Sequence, residues 1–430
     1  MADLSSKDSA GNTKLVGSDS SGVETNYAIV NSEGSLQVDM PANHFDVFGR
    51  LRVSEPESVF EASFRTSTLT DLYSYKQNAS GTLTHTPAIA SVILGTSTTS
   101  GSYSKLKTRV AFTYHPGKSS RVLMSGSFIE SKTGSSKRMG QFDSSNGYFF
   151  ELTDNILYAV LRSSSSGSVV DTKVAQSSWN IDKLDGTGAS GVTLDITKQQ
   201  ILLIDYQWLG SGRIRYGFCM DGAYIYVHEM VHANIVALPY SSTASLPLAA
   251  ECVANSSNAN TTLRVTCMSL DSEGGWGPEG IIRNVNNGTT ARSLGATGST
   301  SALIAIRLQS GFLNQVIDLI EFSALANSVD DFILTVVKNP TITGGTWVDI
   351  GNCTQYNKTS TAISGGTDIY SMYIRGANTT QAIASDIMES TTFSSIGTDF
   401  DGVSDILALK ATAVTASSTI FSSLTFREVV

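Results

Sequence analysis

The chain has 430 residues, 29 of them basic and 38 acidic, for a net charge of −9, and only 16% of its residues are charged against 41% hydrophobic. That length can bury large cores, in two or three domains, and an acidic balance without a long basic run excludes a protein built to follow a phosphate backbone, so no nucleic-acid partner is expected. Eight prolines and 37 glycines amid abundant Ser, Thr and Asn read as a turn-rich β protein and not as a helical bundle.

The first stretch, MADLSSKDSAGNTKLVGSDSSG, is small and polar. It lacks the apolar core of a signal peptide, and no later run reaches the length of a membrane span. The expectation is a soluble protein made in a cytoplasm, with an N-terminal arm that only a partner would hold. NYAIV and SLQVDM follow as short strands around the turn residues NSEG, and then NHFDVFGRLRVSEPESVFEASF. Val30, Leu36, Val38, Phe45, Val47, Phe48, Leu51 and Val53 are more apolar side chains than a lone hairpin hides from water. Residues 1–54 are therefore read as an arm and anchoring segment that packs on another chain or on the next domain. Gly49 permits a tight bend, and Arg50 and Arg52, on one face of a strand, would pair with carboxylates of a neighbouring copy. The alternative is that the segment folds back as an edge strand of its own sandwich.

From 55 to 280 short runs rich in Val, Ile, Phe, Tyr and Thr recur between turn clusters: KLKTRVAFTY, SRVLMSGSFIE, GYFFELTDNILYAVLRS, QQILLIDYQWLG, GRIRYGFCM, AYIYVHEMV and TLRVTCMSL. Such strands without helical patterns between them predict an antiparallel, jelly-roll or lectin-like β-sandwich. A second, smaller sandwich is predicted over 281–430, from SALIAIRLQ, QVIDLIEFSAL, DFILTVVKNP, TWVDI, TDIYSMYIRG and SSLTFREVV, with Trp347 of its own. No repeat of fixed period appears. The fold class is thus all-β, an extended arm and hairpin followed by two antiparallel sandwiches.

Tyr226 to Val236, YVHEMVHANIV, holds His228, Glu229 and His232 in the H-E-x-x-H order of zinc peptidases. Upstream, however, Asp221 and Gly222 stand between two β-patterned runs, a hairpin signal. His228 then lies on an extended strand, where four residues span about 13 Å and two histidines cannot share one metal. No metal and no catalytic set is expected here. GTGASG and GWGPEG satisfy G-x-G-x-x-G but lead into strand-like VTLDI and IIRNV, so no helix N-terminus receives a pyrophosphate and no nucleotide cofactor is expected. HPGKSS resembles the end of a P-loop, but Phe112 stands where its first glycine should be, and it too reads as a turn. Glu130, Asp143, Glu151, Glu229 and Glu251 are candidates for a glycosidase pair by composition only. A carbohydrate-binding face needs only exposed rings and some amides, and Trp179, Trp208 and Tyr240 are its candidates, with a place in the core as the alternative. Cys219, Cys252, Cys267 and Cys353 form no C-x-x-C pair and read as unpaired thiols. The turn NSSNANTT would place Cys252 opposite about Arg264 in a hairpin.

FDVFGRLRVSEP (Phe45 to Pro56) resembles a segment found near the N-terminus of virion structural proteins of tailed bacteriophages, marine phages in particular. QWLGSGRIRYGF, VHEMVHAN, LPLAAE, DSEGG and VVKNPTITGGTWV continue the likeness in separated blocks from about residue 27 onward. The resemblance implies a non-enzymatic particle component of tail- or head-fibre, spike or decoration type. It would be a homo-oligomer, a trimer in the family style, with other virion proteins as partners and a host surface glycan as a further contact. Asp46, Phe48, Gly49, Arg50 and Arg52 are the residues it marks as the anchoring segment, and the virion is the implied location. A depolymerase acting on host polysaccharide and a free carbohydrate-binding module are the alternatives.

Overall fold

The computed structural model describes residues 44–52, 56–275, 277, 279–376, 394–416 and 418–429 in full, and the strand backbone alone of residues 16–18, 24–27, 29–30, 36–37 and 382–386. Most of the N-terminal arm, and the side chains of Val30, Leu36, Val38 and Val53, fall outside the described residues.

The chain is all-β and its sheets are antiparallel. Alternation decides this locally. Val122 and Met124 are buried while Arg121 and Leu123 take the other face of the same strand, and Ile420, Leu424 and Phe426 alternate inward in the last one. The first fifteen long strands are β1 (Glu57–Ser63), β2 (Tyr73–Asn78), β3 (Thr82–Thr86), β4 (Ser91–Gly95), β5 (Tyr103–Thr108), β6 (Ser119–Ser127), β7 (Ser135–Phe142), β8 (Gly147–Thr153), β9 (Ile156–Ser163), β10 (Val170–Ala175), β11 (Gln200–Tyr206), β12 (Ile214–Met220), β13 (Ala223–Met230), β14 (Leu248–Ala254) and β15 (Thr262–Glu273). One sheet runs β13-β12-β11-β6-β15-β4-β3, with β1 added beside β15, and the other runs β10-β9-β8-β7-β14-β5-β2. Between them lies a core that includes Phe64, Met139, Phe150, Tyr216 and Leu263.

Beyond Gly280 come β16 (Ile281–Asn286), β17 (Thr300–Leu308), β18 (Val316–Ala326), β19 (Phe332–Lys338), β20 (Val348–Ile350), β21 (Thr354–Asn357), β22 (Thr367–Ile374), β23 (Ala382–Asp386), β24 (Ile406–Ala413) and β25 (Thr419–Val429). They form a sheet in the order β16-β25-β18-β23 and another in the order β20-β21-β17-β24-β19-β22, around a separate core of Leu303, Ile317, Phe322, Leu334 and Phe426. The two sandwiches meet through a buried ion pair. Arg109 Nη2 lies 2.6 Å from Oδ1 of Asp405, whose side chain is wholly shielded. Val316 and Val429 of the second sandwich also reach the core of the first.

Two turns explain the local order. Asp221 and Gly222 both take positive φ, 51° and 80°, the left-handed pair of a type I′ hairpin turn, and place Met220 opposite Ala223. Asp154 and Asn155, at φ 47° and 67°, do the same between β8 and β9, dividing what reads in the sequence as one long run. One expectation is corrected. NSSNANTT does not close a hairpin, because β14 and β15 belong to opposite sheets. The turn carries the chain across the core, so Cys252 faces Lys137 and Ser104 on its neighbouring strands and not Arg264. All four cysteines are free, Cys252 and Cys353 buried and Cys219 and Cys267 partly so.

Candidate functional site

The H-E-x-x-H side chains diverge. His228 stands on β13, where its Nδ1 accepts the amide of Asn180 at 3.3 Å. His232 lies beyond the end of that strand, with Nδ1 donating to the Gly212 carbonyl at 2.6 Å and its ring stacked 4.3 Å from that of Tyr240. Burial pushes both imidazoles below their ordinary pKa, for His232 against the pull of the Gly212 carbonyl, so both are neutral at pH 7. Glu229 turns instead to Arg213, at 3.6 Å.

The three candidate glycan-binding rings form no exposed platform. Trp179 is buried against Phe150 and Phe218 and donates Nε1 to the Val174 carbonyl. Tyr240 is buried and its hydroxyl donates to the Gln207 carbonyl. Trp208 is half-buried, with Nε1 on the Ser241 carbonyl and its ring edge against Tyr114. Their assignment as a carbohydrate face is therefore corrected. In each case the polar edge of the ring is used to satisfy backbone inside the sandwich.

The segment marked as an anchor is fastened to its own chain. Asp46 closes the bend, accepting the amide of Arg50 at 2.8 Å and its Nε at 2.7 Å, while Gly49, at φ 81°, lets the chain reverse. Phe48 lies under the Arg50 guanidinium, 5.0 Å away, and the backbone oxygens of Phe45 and Val47 accept from Arg215 and Arg213. Arg52 donates to Glu273 Oε1 at 2.6 Å, Asp205 Oδ2 at 2.7 Å and the Tyr226 hydroxyl at 3.0 Å. Those carboxylates in turn hold Arg215, Arg121 and Ser119. Burial opposes the charge of Arg52, but Glu273 and Asp205 outweigh it and hold the guanidinium above its ordinary range. The expectation that Arg52 pairs with a neighbouring copy is corrected: its partners are intramolecular. Nor does the segment join as an edge strand; it docks as a tight loop bridged Phe45 to Leu51.

A cleft of about 440 Å³ opens where the second sandwich meets the outer face of the β10-to-β2 sheet. Lys105, Arg138 and Glu251 on its floor belong to an alternating ladder of charge that continues beneath it to Glu151 and Lys173. Arg138 on β7 stands in register with Glu151 on β8 and Glu251 on β14, and Glu251 with Lys105 on β5. Arg138 Nε reaches Glu151 Oε1 at 2.9 Å and Nη1 reaches Glu251 Oε2 at 3.0 Å. Lys173 closes on the second oxygen of Glu151, and Lys105 on Glu251 at 2.9 Å. For Glu251 burial favours the neutral acid, yet Lys105 and Arg138 prevail and hold its pKa below the usual range. Phe142 and Phe149 form the apolar part of this face, with Arg162 over the Phe149 ring. Asn314 and Phe400 of the second sandwich complete the wall, Asn314 donating to Asp143 Oδ2 at 3.2 Å.

Of the carboxylates named from composition, Glu151, Glu251 and Asp143 thus share one region. Glu130 is elsewhere, accepting from Thr261, and Glu229 lies at β13. Sequence reasoning missed Lys105, Lys107, Arg138, Arg162 and Phe400. Alternation puts Arg138 on an outward face, but nothing in a single sequence shows that Glu251, 113 positions later, lies beside it.

No family model matches the chain, and no curated protein matches it. Several solved structures are similar over about half of it. A protein of unknown function from Shewanella oneidensis is 9% identical over 52% of this chain and 90% of its own, with a TM-score of 0.34. A legume lectin-like domain from Entamoeba histolytica is 12% identical over 50% and 98%, at 0.31. An endo-β-1,3-glucanase from Pyrococcus furiosus is 11% identical over 51% and 96%, at 0.35. At these scores the likeness carries no weight for function.

Proposed function

We propose that the protein is a non-enzymatic structural component of a bacteriophage virion, a fibre, spike or decoration subunit that assembles as a homotrimer with other virion proteins and meets a host surface glycan. The likeness of FDVFGRLRVSEP and the later blocks to tailed-phage virion proteins supports the particle role. The observation that carries the non-enzymatic part is the state of the cleft carboxylates. A glycoside hydrolase needs one carboxyl group kept protonated to deliver a proton to the leaving oxygen. Glu151 and Glu251 are instead divided by one guanidinium and closed by a lysine at each outer side, and Glu251 is held ionised. The floor of the cleft is suited to holding a ligand and not to protonating one.

The test is made on purified particles. Quantitative mass spectrometry and labelling with an antibody to this chain should find it at one symmetric position, in copies divisible by three, and the isolated chain should have the mass of a trimer in solution. Its absence from washed particles would end the structural reading. Release of reducing ends from host polysaccharide by the purified chain, lost in Glu251→Gln, would replace it with a depolymerase.

A further inference from the structure

The cleft between the sandwiches holds an imbalance that the ladder does not settle. Lys105 is paired with Glu251, Arg138 with Glu151 and Glu251, and Arg162 with both oxygens of Asp171 at 2.8 and 2.9 Å. Lys107, two residues along β5 and on the same face as Lys105, lies within ion-pairing distance of no carboxylate among the described residues. Its ammonium instead donates to the Thr398 hydroxyl at 3.3 Å and stands 5.5 Å from the centre of the Phe400 ring, both across the junction in the second sandwich. Burial pushes its pKa down, with Asp399, Asp143 and Asp405 pulling the other way from beyond contact and Arg109 adding to the fall. A half-buried ammonium with no carboxylate in contact is costly to keep charged even with Asp399, Asp143 and Asp405 nearby, and an anion brought against it would recover part of that cost.

The other groups of the cleft define what else such an anion should carry. Asp143, whose Oδ2 accepts the Asn314 amide, and Ser144 and Ser145 line the same space. Asp143 Oδ1 is already taken by the amides of Ser145 and Asn146. Acceptors and donors in this number suit hydroxyl groups. Phe400, half-buried, offers an apolar face to the C–H side of a ring. The volume, about 440 Å³, is within the range of small-ligand clefts, and the ladder is already locked by its internal ion pairs, so little side-chain freedom is lost on binding.

We infer that this cleft is a binding site for an acidic saccharide, the sugar carboxylate meeting Lys107 and its hydroxyl groups meeting Asp143, Asn314 and the rim serines. The inference rests on the glycan-contact part of the proposed function and assigns it to residues other than the buried rings Trp179, Trp208 and Tyr240. A free sulfate or phosphate ion shares the anion chemistry but lacks the hydroxyls and the ring.

Calorimetric titration of the full chain with oligogalacturonate, with its methyl ester of equal length, and with sodium sulfate separates these sources. Binding of the acid at least tenfold tighter than that of the ester or of sulfate is expected. Lys107→Met should lose that preference, Lys107→Arg should keep it, and Lys198→Met, at an exposed lysine outside the cleft, should behave as the parent. Circular dichroism of each variant establishes that it is folded. Equal binding of acid and ester, unchanged binding by folded Lys107→Met, or no acid binding at millimolar concentration overturns the inference. Incorporation of Lys107→Met into particles is scored separately. A failed sugar site with normal incorporation leaves the virion role standing, and failed incorporation with intact sugar binding does the reverse.

Discussion

Arg52→Met should release the 44–52 loop from the first sandwich without unfolding the sandwich. Among the described residues the guanidinium donates four hydrogen bonds, at 2.6 and 3.1 Å to the two oxygens of Glu273, 2.7 Å to Asp205 and 3.0 Å to the Tyr226 hydroxyl. Bonds of this charged kind contribute about 1.5–3 kcal/mol each when removed singly, and stranding a buried charge costs about 3–5 kcal/mol. Neither carboxylate is stranded here. Asp205 keeps Arg215, Tyr226 and Ser119, and Glu273 keeps Arg121 and Ser119. The loss should therefore fall near the lower bound for a broken buried pair, about 3 kcal/mol, and be felt by the loop first. The amides to watch are those of Asp46, bonded to the Arg50 carbonyl at 2.8 Å, Gly49, bonded to the Asp46 carbonyl at 3.0 Å, and Arg52, bonded to the His44 carbonyl at 2.9 Å. At 1.4 kcal/mol per tenfold, their hydrogen exchange should quicken roughly 100-fold, while amides of β6 and β15 change little. Unchanged exchange at these three amides would refute the view that Arg52 clamps the loop.

Two further outcomes follow from buried groups. Lys137 is fully shielded and donates to the carbonyls of Phe128 and Glu130, and burial pushes its pKa down to about 8, against the pull of the Cys252 and Glu130 charges. In the unfolded chain it titrates near 10.4. Below pH 8 both states hold the proton and the folded state bears a charging cost of roughly 3 kcal/mol. Between about pH 8 and 10.4 the folded state releases a proton that the unfolded state keeps, so stability should climb across that window. Urea titrations at pH 7, 8, 9 and 10 should show the climb in the parent and a flatter profile in Lys137→Met; parallel profiles would contradict it. Gly351, at φ 67°, has no room for a side chain, since a Cβ there would come within 2.5 Å of Glu428 Oε2 and 2.7 Å of Arg283 Nε. That carboxylate accepts the amides of Asn352 and Cys353 and the Thr354 hydroxyl. Gly351→Ala should cost the second sandwich about 2–4 kcal/mol through backbone strain and displacement of Glu428. A calorimetric scan within error of the parent would show that the loop yields freely.

How much of this was legible depends on the range over which each interaction acts. Strand class follows from alternation within a few residues, and the Asp221–Gly222 turn from two, so β12, β13, β17 and β25 lie close to the runs read for them. The same local signal failed at NSSNANTT, because a polar turn between two β runs looks alike whether the runs pair or cross to opposite sheets. It failed again for the aromatic residues. Tyr240 spends its hydroxyl on the Gln207 carbonyl and Trp179 its ring on Phe150 and Phe218, all groups that only the folded chain brings near. Of the apolar residues counted from Val30 to Val53, four lie in the described 44–52 loop, where Val47 is buried and Leu51 exposed; what fastens the loop to the chain's own first sandwich is Arg52, whose partners Asp205 and Glu273 are 153 and 221 positions away. Charge is sparse in this chain, and most of the ion pairs among the described residues stand in two networks, one under the 44–52 loop and one at the cleft. Asp205 and Glu273 in the first and Glu151 and Glu251 in the second each hold two cations, so that removing a single partner loosens a segment or a site before it unfolds a sheet. A low overall charge therefore says little about where electrostatics act. Both networks lie where one sheet face is covered by another part of the chain, at the docked loop and at the junction of the sandwiches. It is at the second of these that Lys107 has no carboxylate within ion-pairing distance among the described residues.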